Sequence, residues 1–448
     1  MYSKRLSDLL TVSKTGIGDA IEIVTVDDET YRGILMPKIE GGNPDCIVIK
    51  LENGYNIGIH LNNLKKLTII EKKVEGIEIK KVKETKEAEP KESGFISIIG
   101  CGGTIASKVD YRHGGVSPAI TPDELVLQFP ALQNKNFKTH LLFQILSEDI
   151  TPEHWKVIAE DVASEIKGGA QGVILLHGTD TMHYTSAALS FMIKTPNPIV
   201  LVGAQRSSDR GSSDNLLNFN AALMAVESDI AEIGVCMHGT TNDDWCYLHR
   251  GTRVRKMHTS RRDAFKTING SPLAKISPDS GKITLLSSYR KRGESALEVD
   301  TRIDPNVALI QIHPGIKEKF IEKLADYYNG VVLAGTGLGH VPTNVSNDQY
   351  SVSLIPAIKS LISSGVPVVI APQTIFGRVN LNVYAAGREM LKAGVIGNYC
   401  DWTPETALVK LMWVLGHTQD MKKIEEMMLT NIAGEISERN QMSTNIVE

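Results

Sequence analysis

The sequence predicts an α/β protein, with a two-domain core built on parallel sheets and a small all-β N-terminal domain of the SH3 or Sm barrel kind. Three observations lead there. Short apolar runs ending in glycine or a polar turn recur from Phe95 to Ile370 and alternate with helical stretches. Before them the chain reads as short strands around a hairpin signal. Between these regions, Glu71 to Glu92 holds seven Lys and seven Glu, a segment with little to bury that reads as a solvated linker.

In the first region Ala20–Val26 alternates, Thr30–Met36 follows the turn-prone Asp27-Asp28, and Cys46–Leu51 leads through Asn53-Gly54 to Tyr55–Ile59. That gives four or five strands and no convincing helix. The core strands are expected at Phe95–Ile99, Gly172–Leu176, Pro198–Val202, Ile233–Met237, Val307–Ile312, Val331–Ala334 and Val366–Ile370. Helices are expected after the Thr151-Pro152 start, after the capping-box pattern Thr121-Pro-Asp-Glu124, over Asn215–Val226, and over Leu354–Ile362 with Pro356 in its first turn. The helical rhythm pauses at Ser277–Pro305. The expected divisions are residues 1–75, a linker at 76–93, a larger α/β domain at 94–285 and a smaller one at 300–435.

Composition excludes several classes. The 448 residues carry a formal charge of −4, so the chain as a whole is not a polycation that grips nucleic acid. Five Cys form no C-x-x-C pair, and their odd number argues against a disulfide framework. No H-x-x-x-H or H-E-x-x-H pattern exists, and no metal is expected. The G-x-G-x-x-G spacing and the G-x-x-x-x-G-K-[ST] loop are both absent, so no nucleotide cofactor is expected in this chain. With no membrane-length apolar run and no signal-peptide core at the N-terminus, a cytoplasmic location is expected.

In doubly wound sheets ligands bind beyond the carboxyl ends of the strands, so the residues after each apolar run carry the chemistry. Three stand out: Gly100-Cys-Gly-Gly-Thr104, His177-Gly-Thr-Asp-Thr181 and Gly203-Ala-Gln-Arg206. Glycines let the backbone approach a ligand, and the threonines present hydroxyls. A hydroxyl nucleophile needs a base, and Asp180, His177, His183 and Lys256 are the candidates. Lys256 lies among Arg253, Arg255, Arg261 and Arg262, whose like charge favours a neutral amine. Cys101 is an alternative nucleophile, though a Cys at a glycine turn is more often a small buried filler. The basic run His249–Arg262 reads equally as a solvated loop.

The stretch Gly-Gly-Thr-Ile-Ala after a first strand, with His-Gly-Thr-Asp-Thr-Met after a later one, resembles the bacterial-type L-asparaginase/glutaminase family over Phe95 to Gly416. The resemblance implies an asparaginase-like core and an amidohydrolase. It makes Thr104 the threonine nucleophile, Thr179 and Asp180 the second threonine and its aspartate, and Lys256 the lysine completing that triad. Ser147 and Glu148 fall where the family binds the substrate's amino and carboxylate groups, with Gly103 and Gly178 in the adjoining glycine turns. Ser107 to Pro118 matches the mobile lid, with Tyr111 as its assisting tyrosine. Free asparaginases lack the β-rich region and linker. With these, and with Ile145-Leu-Ser-Glu-Asp-Ile-Thr-Pro152 and Asp401-Trp-Thr-Pro-Glu-Thr406, the chain resembles the D-subunit family of archaeal glutamyl-tRNA(Gln) amidotransferases. That implies glutamine hydrolysis here, ammonia delivery to an E-type subunit that carries ATP and Mg, tRNA(Gln) reached through the complex, and a homodimer inside a heterotetramer. Two other readings stay open: a free L-asparaginase/glutaminase with an appended β domain, and a catalytically silent binding scaffold.

Overall fold

The computed structural model describes residues 2–36, 43–51, 56–72, 94–102, 107–110, 115–118, 129–206 and 213–439. The first region forms a five-stranded antiparallel sheet, ordered Asn56–His60, Cys46–Leu51, Thr30–Leu35, Ala20–Thr25, Leu64–Glu71. Alternate residues of these strands, Ile21, Ile23, Ile47 and Ile49, build a separate small core. A helix that the sequence reading did not anticipate, Lys4–Val12, closes it with Leu6 and Leu10, one turn apart on one face. Ser3 caps this helix, its Oγ accepting the Leu6 N–H at 3.2 Å. With only two buried side chains and a polar remainder, the apolar stripe is too thin to register as a periodicity.

Each of the seven anticipated core runs contains a strand. Five strands are mutually parallel, in the order Ile233–His238, Ile199–Val202, Ala170–Leu176, Phe95–Gly100, Phe137–Leu141. Ile174 sits in register between Ile98 and Val200. The sheet departs from the parallel expectation beyond Ile233–His238, where Cys246–Arg250, Ala274–Ser277 and Lys282–Leu285 add antiparallel strands. The chain turns from His238 to Cys246 in too few residues for a crossover helix, so the next strand must return antiparallel. The parallel strands other than the edge strand Phe137–Leu141 are apolar on both faces because both are covered. The helices Pro152–Lys167 and Met182–Met192 pack over Ile99, Val173 and Leu175, while Asn215–Glu227 packs over Ile98, Ile174 and Val200. The capping-box pattern at 121–124 lies outside the described residues.

A second, smaller sheet holds Val307–Gln311, Gly330–Gly335 and Val368–Pro372, all parallel. The helix Ile355–Ser363 covers its outer face, with Pro356 in the first turn as the sequence reading requires. The helix Pro404–Leu415 covers the inner face. Its residues Ala407, Leu411 and Val414 join one apolar cluster with Val332 and Val369 of the small sheet and Leu189 of Met182–Met192. That shared cluster seats the small sheet against the large one. The Thr403 hydroxyl starts the helix by accepting the Thr406 N–H at 3.2 Å, and Pro404 takes the first position.

One charged pair lies inside this packing. Lys410 and Glu435 are both fully buried, with Nζ 2.6 Å from Oε1, and Nζ also donates to the carbonyls of Met428 and Thr430. Burial lowers the Lys410 pKa, against the opposing pull of Glu435. Removing one partner strands the other charge in an apolar site. Glu435→Ala is therefore expected to cost about 3–5 kcal/mol, read as a lower urea midpoint with unchanged denaturant slope.

Candidate active site

The strand Ala170–Leu176 ends in the turn His177-Gly-Thr-Asp-Thr181, and the helix Met182–Met192 starts directly after it. His177 is fully buried and locks the turn from below. Its Nδ1 bonds the Gly178 carbonyl at 2.6 Å and its Nε2 the Thr185 hydroxyl at 2.9 Å. Only a neutral ring donates at Nδ1 and accepts at Nε2, and burial lowers its pKa to about 4. His177 is thus a structural hydrogen-bonding residue.

The turn is tied to the short helical segment Ser147–Asp149. Asp180 N–H donates to Ser147 Oγ at 3.2 Å, and the Thr181 hydroxyl donates to the Ser147 carbonyl at 2.5 Å. Gly178 permits this approach: a Cβ there would lie 2.7 Å from Ser147 Cβ. Glu148 lies beside Ser147 with its side chain exposed. The neighbouring strand Phe95–Gly100 delivers its own turn against the same segment. Gly102 has φ +91°, and a Cβ on it would sit 2.0 Å from the Ile145 carbonyl oxygen. Gly103, Thr104 and Tyr111 lie outside the described residues.

Lys256 ends the strand Val254–Lys256, which pairs with Phe265–Thr267 in a two-stranded ribbon. Its Nζ donates to Thr179 Oγ1 at 2.9 Å and to Asp180 Oδ1 at 2.7 Å. Residues 179, 180 and 256, with 147 and 178, therefore converge on one spot from three segments. The two partners differ in burial. The lysine side chain is 10% exposed and the aspartate 62%, so the cation is the desolvated partner. The surrounding arginines are not a bare positive field either. Arg253 pairs with Asp401, Arg255 with Glu405, Arg261 with Asp263 and Arg262 with Asp243. Cys101 is fully buried, and desolvation pushes its thiol pKa far up, the opposite of what a thiolate nucleophile needs.

A cavity of about 430 Å³ opens beside the Lys256–Asp180 pair, walled also by His183, Tyr184, Arg255 and Glu405. Glu405 and Tyr184 are wall residues that sequence reasoning left without a role; Glu405 lies in the segment Asp401–Thr406 that carries the family resemblance, and Thr403-Pro-Glu-Thr406 is a helix-start pattern. Among the described residues no cluster of three His, Cys, Asp or Glu side chains is placed to hold a metal ion.

Comparison with known proteins fits this geometry. Residues 95–290 match the family described as Asparaginase, N-terminal, residues 306–428 the Glutaminase/Asparaginase C-terminal domain, and residues 15–70 the GatD N-terminal domain. The D subunit of glutamyl-tRNA(Gln) amidotransferase from Pyrococcus furiosus is 48% identical over 452 residues, covering 99% of this chain and 100% of that protein. The chain belongs to the family of glutamyl-tRNA(Gln) amidotransferase D subunits. The member from Methanothermobacter thermautotrophicus is 47% identical over 446 residues, covering 99% of each chain. Among solved structures, the D-subunit chain resembles the thermostable L-asparaginase from Thermococcus kodakarensis (TM-score 0.67, 32% identity, 76% of this chain and 99% of that one). It also resembles L-asparaginase I from Vibrio cholerae (TM-score 0.66, 29% identity, 77% and 99%). The asparaginase-like core preceded by an N-terminal β module is thus the family's fold.

The packing of the site makes two outcomes testable. Gly178→Ala must push Ser147 away, and is expected to cost about 1–3 kcal/mol in a denaturant titration while freeing the Asp180 amide for hydrogen exchange. His177 and His183 both have pKa values lowered by burial from 6.5 to about 4. The unfolded chain then binds more protons between those values, so stability falls as pH drops from 6.5 towards 4. His183→Gln is expected to flatten that slope in melting curves recorded across the window.

Proposed function

We propose that this chain is the glutamine-hydrolysing subunit of a Glu-tRNA(Gln) amidotransferase. The observation that carries the reading is the placement of one buried ammonium between a threonine hydroxyl and a carboxylate, Lys256 with Thr179 and Asp180. Such an arrangement suits an amidohydrolase that works through a hydroxyl. When its amine is neutral, Lys256 takes the proton of Thr179 Oγ1 and Asp180 holds the ammonium that results. Either Thr179 or Thr104 attacks the side-chain amide carbon of glutamine. A C–O bond forms, the C–N bond breaks, and ammonia leaves with the transferred proton. Water then cleaves the acyl-enzyme to glutamate. Backbone N–H groups of the glycine turns stabilise the oxyanion; losing one side-chain oxyanion donor costs about 2.7–4 kcal/mol in a well-studied hydrolase. Ser147 and Glu148 hold the amino and carboxylate groups of glutamine, the glycine turns at Gly103 and Gly178 line the site, and Tyr111 assists Thr104 from the lid.

The names of the relatives support the wider assignment. Ammonia passes to an E-type subunit, which holds ATP and Mg and converts Glu-tRNA(Gln) to Gln-tRNA(Gln). The assembly is a homodimer of this chain within a heterotetramer. The match of residues 15–70 to the GatD N-terminal domain favours this over a free asparaginase. Two measurements test it. Lys256→Met and Thr179→Val are each expected to lower glutamine turnover by about 10²-fold or more. Full turnover in both variants refutes the threonine–lysine mechanism. Co-expression with an E-type subunit is expected to make glutamine hydrolysis rise with Glu-tRNA(Gln). Brisk asparagine hydrolysis by the chain alone, with no response to tRNA, would establish the free asparaginase instead.

A further inference from the structure

The segment Asp401-Trp-Thr-Pro-Glu-Thr406 carries no chemistry in the scheme above, yet it touches nearly every residue that leads into Lys256. Thr252 O accepts from the Thr406 hydroxyl at 3.0 Å. The guanidinium of Arg253 lies 3.1 Å from Asp401 Oδ2 and donates to Ser437 Oγ at 2.7 Å. Arg255 Nε donates to Glu405 Oε1 at 2.8 Å. On the paired strand's far side, Asn269 Nδ2 donates to the Asp401 carbonyl at 2.7 Å. We propose that Asp401 and Glu405 are positioning residues for Lys256, clamping from the smaller α/β unit Arg253, just before its strand, and Arg255, within it. The proposal rests on the proton-transfer role given to Lys256 above.

The physical need is plain. Lys256 sits on a two-stranded ribbon, and such a pair is marginal in water without external packing. Arg255 and Lys256 are neighbours on one strand and project to opposite faces, so Arg255 reaches Glu405 of the smaller unit while the lysine reaches Thr179, and Arg253 leaves for Asp401 from the turn just before the strand. The clamp itself is fixed. Trp402 is fully buried with Nε1 donating to the Ile370 carbonyl at 3.1 Å, Asp401 Oδ1 accepts the Ser437 N–H at 2.9 Å, and Pro404 starts the helix that bears Glu405. Glu405 lies in that helix's first turn, where a carboxylate is also stabilised by the backbone dipole. Catalytic groups misplaced by 1 Å lose about 10²-fold in rate.

The test uses the full chain with its partner subunit. Glu405→Ala is expected to lower kcat for glutamine about tenfold or more with KM changed less than about twofold. Glu405→Gln keeps an acceptor for Arg255 Nε and is expected to restore most of that kcat. Leu361→Ala, in the outer core of the smaller unit, serves as the stability control. Rates are referred to the active fraction, titrated with an electrophilic glutamine analogue. A kcat per active site that stays at the wild-type value in Glu405→Ala, or falls no further than in Leu361→Ala at equal loss of Tm, overturns the clamp. Lys256→Met separates the two ideas: if it is inactive while Glu405→Ala is normal, only the clamp fails, whereas an active Lys256→Met removes the underlying mechanism.

Discussion

A lysine withdrawn from water is the constraint around which the site is arranged. The Lys256 side chain is nine-tenths buried, and a polar group so placed needs hydrogen-bond partners. It finds two, Thr179 Oγ1 and Asp180 Oδ1. Both lie on a turn whose shape is set elsewhere: His177 pins it from beneath, Ser147 braces it from the side, and Gly178 leaves room for Ser147. The sheet places the turn, and the strand end of Ala170–Leu176 is the natural exit point for ligand-binding groups. Each layer is therefore needed to bring one Nζ within reach of one hydroxyl.

The sequence exposed the parts of this plan that follow from local pattern. Runs such as Ile199–Val202 must be buried strands because nothing in them is polar, and Thr179, Asp180 and Lys256 are singled out by the family resemblance. What stayed hidden depends on contacts between distant segments. The ion pairs that neutralise Arg253 and Arg255 join residues about 150 apart, so a basic run looked like an uncompensated field. The pairing of a buried Lys256 with an exposed Asp180 is out of reach for the same reason, since burial belongs to the assembled cavity and not to either residue. The helix Lys4–Val12 is a different failure, a short element whose two apolar side chains matter only against the strands they cover.

The small sheet has a part beyond completing the fold. Its inner helix, Pro404–Leu415, shares an apolar cluster with Met182–Met192, the helix that begins at the Thr179–Thr181 turn. The same inner helix carries Glu405 and is preceded by Asp401. One element thus packs behind the threonine and also holds the strand of the lysine. Rigid cores transmit displacement because they pack densely.

Of the candidate nucleophiles, Cys101 and Thr179 stand at the ends of adjacent strands, and the surroundings of Cys101 argue against it. Cys101 is intrinsically the better nucleophile as a thiolate, but it is fully buried, and desolvation holds its proton. Thr179 is intrinsically weak and cannot be activated by lowering its own pKa enough. Beside it lies an amine, Lys256 Nζ at 2.9 Å, held in turn by the Asp180 carboxylate at 2.7 Å, and a hydroxyl nucleophile needs such a neighbour. The site is therefore better suited to supply a base than to tune a thiol. Such chemistry asks chiefly that the smaller unit, the ribbon and the turn keep three side chains in register.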